Sequence, residues 1–115
     1  MSDIDSIFQK FDTNVPVSEI RQEIAALIAD HMNQMRQSLG YWEKSHFLSA
    51  IAALAWNRPS QEPHSAWLRL CLVNIESALV PKDQRDENYG RKDPKIEALT
   101  YEQLVGALND TIRSD

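Results

Sequence analysis

Apolar residues recur three or four positions apart along almost the whole chain, and no run alternates long enough to make a strand. This regularity restricts the chain to folds built from helices. A helix buries one stripe of its surface, whereas a strand buries every second side chain. Three glycines are also too few for the tight hairpins that a sheet protein of 115 residues would need. The expected fold class is therefore all-α: a single domain over residues 1–115, forming a compact bundle of four main helices plus a short N-terminal helix.

The stripes locate the elements. Ile4, Ile7, Phe8 and Phe11 place a short amphipathic helix at about residues 3–12, ended by Asn14 and Pro16. Ser18 reads as an N-cap for a helix over about 18–39, whose stripe is Ile20, Ile24, Leu27, Ile28, Met35 and Leu39. Gly40 stands where a left-handed residue would close that helix. Phe47, Leu48, Ile51, Leu54 and Ala55 define a helix over about 42–57. Residues 57–64, with two prolines, read as a loop before a helix over about 65–80 that Pro81 stops. Residues 81–94 are dense in charge and read as an exposed connection. Lys95 to Leu99 can form a helical turn. Thr100 and Gln103 then match a capping box opening a helix over about 100–113, with the stripe Tyr101, Leu104, Val105, Leu108 and Ile112.

Seventeen acids against twelve Lys and Arg give a net charge of −5, without the basic footprint that nucleic-acid binding requires. The single cysteine excludes a disulfide framework and any cysteine-based zinc site within one chain. The acidic start lacks the basic and apolar regions of a signal peptide, and the longest charge-free run, residues 45–57, is too short to span a bilayer. A cytoplasmic location without membrane or nucleic-acid contact is the expectation.

Motifs for phosphate loops, dinucleotide binding, serine or zinc hydrolysis and calcium loops are missing, so the chain is expected to be no enzyme and to need no cofactor or metal. Glu43 and His46 stand one helical step apart, as in di-iron bundles, but the step occurs once and His46 falls away from the apolar stripe. Both are read as surface residues. His31 instead falls inside an apolar stripe, beside Ile24, Leu27 and Met35. A histidine there needs a hydrogen-bond partner, or it faces a cavity that holds a small molecule or cofactor. Cys71 shares a face with Trp67 and Ile75 and reads as a buried structural thiol.

Residues 41–80 are neutral, with Glu43, Glu62 and Glu76 balanced by Lys44, Arg58 and Arg69. Acidic flanks lie on both sides, and all three tryptophans, Trp42, Trp56 and Trp67, fall in this segment. The apolar face after the loop is wider than a helix needs to bury one side, and Trp56 points away from the Phe47–Ile51–Leu54 stripe. Either the hairpin is covered on both sides or part of it meets a partner. Trp56, Arg58, Trp67 and Arg69 are the candidate contact residues, because tryptophan and arginine dominate binding hot spots. Phe8 and Phe11 are a second candidate contact, on the N-terminal helix. The leading expectation is a non-catalytic helical protein of adaptor, chaperone, regulator or toxin-neutralising type that binds another protein and forms a homodimer. The alternative is a small-molecule or cofactor-binding bundle that uses His31.

Overall fold

Each helical period folds as a helix in the computed structural model, which describes residues 4–11, 13–56, 65–85 and 91–113. In chain order these are α1 (Ile4–Lys10), α2 (Val17–Gln34), α3 (Tyr41–Trp56) and α4 (Ser65–Ala78), a 3-10 turn (Lys82–Gln84), α5 (Pro94–Glu97) and α6 (Tyr101–Arg113). Among the described residues there is no strand. The expected loop over 57–64 lies outside the described residues, as do residues 86–90 of the charged connection.

Helices α3 and α4 form the most extensively packed pair, with α2 and α6 on α3 and the short α1 against α2 and α4. Ala50 and Ala53 are buried on α3, and small side chains let neighbouring helix backbones approach closely. One core joins Ile7 of α1, Ile24 and Ile28 of α2, Phe47 and Leu54 of α3, Leu72 and Ile75 of α4, and Leu104 and Leu108 of α6. Burying each such side chain stabilises the fold by about 1.5–3 kcal/mol. Among the described residues no helix is long and apolar enough to cross a membrane.

Three boundary expectations are corrected. Pro16, not Ser18, is the N-cap of α2, and its carbonyl accepts hydrogen bonds from the Glu19 and Ile20 amides. Proline's fixed φ already supplies the extended backbone a cap adopts, so the cap stands two residues earlier than the serine suggested. Gly40 does not close α2, which stops at Gln34 and continues as a turn. Instead Gly40 opens α3: its carbonyl accepts from the Lys44 amide at 3.0 Å, and its φ lies outside the left-handed region. On α6 the buried positions are Leu104, Leu108 and Thr111, while Ile112 is exposed. The core-facing stripe follows i, i+4, i+7 spacing, and Ile112 lies at its edge, about 40° beyond Leu108. The Thr111 hydroxyl is satisfied within the helix by the Ala107 carbonyl at 3.0 Å.

The capping box forms as expected. The Thr100 hydroxyl accepts from the Gln103 amide at 3.1 Å, and the Gln103 side chain accepts from the Thr100 amide at 2.9 Å.

Candidate functional site

Two places gather chemistry at the surface, one at each end of α3. At its C-terminal end Trp56 stacks on Trp67 of α4, with ring centroids 5.8 Å apart and an angle of 17° between the planes. Such stacking does not seal the rings from water: Trp56 remains 65% exposed and Trp67 37%. Leu70 and Val73 follow at successive i+3 steps along α4 and are 42% and 49% exposed. Ser49 and Ala52 of α3 and Ala66 of α4 are exposed too, and none of these seven residues carries a charge.

The other candidate contacts separate. Arg69 turns to the α1 side of α4, where its guanidinium lies 4.6 Å from the centre of the Phe11 ring. Phe11 and Phe8 are half-buried against the core, so α1 docks on its own subunit through them. Arg58 lies outside the described residues. His31 is half-buried in the last turn of α2, at the end of the molecule's longest helix.

At the N-terminal end of α3 stands a pocket of about 370 Å³, lined by Ser38, Gly40, Tyr41, Trp42, Glu43, Lys82, Arg85 and Lys92. Glu43 organises it. Reading it as a surface residue is corrected here, because its side chain is only 2% exposed. One carboxylate oxygen accepts the Gly40 amide at 2.8 Å, the reach-back half of a capping box with glycine at the cap. The other pairs with Arg85 Nη1 at 2.6 Å. Arg85 is itself corrected from an exposed loop position to a side chain only 7% exposed. Its Nε donates to the Val80 carbonyl at 2.8 Å, and its guanidinium sits 5.5 Å from the centre of the Trp42 ring. The Trp42 indole N–H donates to the Ser77 carbonyl at 2.6 Å, satisfying a carbonyl in the last turn of α4.

The connection after α4 is held to the same corner. The Tyr41 hydroxyl accepts the Asp93 amide at 2.8 Å, and Lys44 Nζ donates to the Glu97 carbonyl at 3.0 Å. Nothing in the linear pattern marks Arg85 as Glu43's partner. The Gly40-x-x-Glu43 spacing was the readable signal that Glu43 belongs to a cap rather than to a metal site. His46, half-buried, lies 4.6 Å from Trp42, centroid to centroid. Burial lowers its pKa and Arg85 adds to the shift, while Asn74 and Glu43 oppose it.

Within the core, Arg21 is buried and donates from Nη2 to the Leu54 carbonyl at 3.2 Å, satisfying one of the last carbonyls of α3. Burial draws its pKa below the usual guanidinium value, partly offset by Cys71. Burial likewise pushes the Cys71 thiol up to about 12, which leaves it protonated and poorly nucleophilic near neutrality. Among the described residues no group of three or more His, Cys, Asp or Glu side chains could hold a metal ion. Comparison with protein-family models, with curated proteins and with solved structures finds no match for this chain.

Proposed function

We propose that this chain is a non-catalytic interaction protein that binds through the uncharged outer face of the α3–α4 hairpin, and that it associates with a second copy of itself through that face. The exposed Trp56–Trp67 stack carries the reading. Exposed tryptophans continuous with Leu70 and Val73 make an apolar strip that water disfavours, and aromatic anchors of this kind supply most of the energy in protein interfaces. Ser49, Ala52 and Ala66 flank the strip with small side chains, which allow a partner helix to lie close.

Self-association fits the charge distribution. With a net charge of −5, two copies repel through most of their surface, but the seven described residues of this face bring no charges of like sign together. A two-fold axis through it would place each tryptophan pair against the partner's Leu70 and Val73, in the self-complementary manner of an isologous dimer. A heterologous partner of adaptor or regulator type would use the same strip in exchange for the second copy. A cytoplasmic setting accompanies this proposal, since a lone buried thiol suits a reducing compartment.

Sedimentation equilibrium tests it. Wild-type protein should fit a dimer of 13.2 kDa chains at micromolar concentrations. The doubly substituted Trp56→Ser, Val73→Asp protein should sediment as a monomer with unchanged circular dichroism. A wild-type monomer up to about 100 µM would remove self-association from the proposal.

A further inference from the structure

The pocket at the start of α3 lies apart from the tryptophan face. Trp42 and Trp56 stand fourteen residues apart on one helix, a separation of about 21 Å at the α-helical rise. Its inner wall is already neutral: the Glu43 carboxylate is matched by Arg85 and by the Gly40 amide. Those bonds, with Arg85 on the Val80 carbonyl and Trp42 on the Ser77 carbonyl, hold the wall in place before any ligand arrives. The rim differs. Lys82 and Lys92 both line the pocket and are exposed, and among the described residues neither has a carboxylate at ion-pair distance. Lys92 Nζ is held 5.7 Å from the centre of the Tyr41 ring. An acidic chain thus carries a cavity with two aromatic walls, Tyr41 and Trp42, and two rim ammoniums that no carboxylate of the described residues pairs.

We propose that this pocket binds a small phosphomonoester carrying a planar ring. A dianionic phosphate between Lys82 and Lys92 would neutralise both ammoniums, and lysine binds phosphate well as a point charge. The planar ring lies against Tyr41, on the ring face that Lys92 leaves as its ammonium turns to the phosphate. A volume of about 370 Å³ is at the small end of ligand sites and admits a molecule of metabolite size rather than a polymer. The site performs no chemistry; it couples a soluble ligand to a protein whose interaction face is at the far end of α3.

The test is a titration with phenyl phosphate in low salt, followed by 1H–15N NMR at the Trp42 indole and the amides of residues 40–43. Inorganic phosphate and phenol serve as comparators. Saturable shifts confined to these signals are expected, with phenyl phosphate binding at least about tenfold more tightly than either comparator. Lys82→Gln with Lys92→Gln should weaken it a further tenfold or so while leaving the spectrum otherwise intact, because both side chains are exposed. Absence of saturable shifts at about 10 mM phenyl phosphate, or equal binding by the doubly substituted protein, would overturn the site. Equal affinity for inorganic phosphate would overturn its preference for a planar ring.

Discussion

Glu43 shows how much a single residue's surroundings decide. On a wheel it belongs with the polar neighbours of α3, yet it is almost sealed from water and paired with Arg85. Removing one member of a buried ion pair leaves the other charged and unmatched, which costs about 3–5 kcal/mol. Glu43→Ala should lower the free energy of unfolding in urea by that much, and the double change Glu43→Leu, Arg85→Met should be less destabilised than either single change. Additive effects in a double-mutant cycle would mean that the pair does not couple.

His46 supplies the pH dependence at the same corner. Its folded-state pKa is depressed by burial, so the neutral ring contributes stability above the unfolded value near 6.5, and that stability is lost as pH falls through the folded value. His46→Asn should therefore flatten the acid limb of the stability profile below pH about 6.5 in equilibrium unfolding. An unchanged slope would count against the burial of the ring. Cys71 behaves in the opposite direction. With its thiol pushed up to about 12, it should resist a thiol reagent at pH about 8 in the native protein and react once the chain is unfolded in urea.

Among the elements, α6 and α1 are held by different means. α6 opens on a reciprocal capping box, so Thr100→Ala should cost about 1 kcal/mol in thermal or chemical unfolding, with Gln103→Ala no worse. α1 spans only seven residues, too few to persist alone in water. Its anchor is Ile7, fully buried, with Phe8 and Phe11 packed at the core's edge and Arg69 over the Phe11 ring. Ile7→Ala should cost about 2–5 kcal/mol and make α1 an early site of proteolysis. Unaltered resistance to protease would show that α1 is held by something other than this packing.

The element pattern was largely legible in the sequence because helical periodicity is local: Ile20, Ile24 and Ile28 declare their shared face without reference to any other helix. The helix ends were less so. Ser18 and Gly40 carry strong generic preferences, but Pro16 and Glu43 supplied the caps that were used.

At the scale of the whole molecule, the exposed tryptophan strip and the pocket lie at opposite ends of α3. The first is proposed to serve association and the second a small ligand. Placing a charge at Val73 should abolish the dimer without altering the fold, since that side chain is half exposed and outside the core. Sedimentation of the Val73→Asp protein checks this, and a persistent dimer would place the interface elsewhere.

The all-helical class, the positions of the helices and the neutral tryptophan-bearing hairpin between acidic flanks could all be read from the order of residues. Each rests on spacing or composition within one segment. The exposed Trp56–Trp67 stack, the diversion of Arg69 onto Phe11 and the Glu43–Arg85 pair could not. Those depend on which helix faces which, and residues far apart in the chain acquire partners only when the whole core has closed. Glu43 and Arg85 met because α4 brings the chain back alongside the start of α3, and a carboxylate buried there requires a cation.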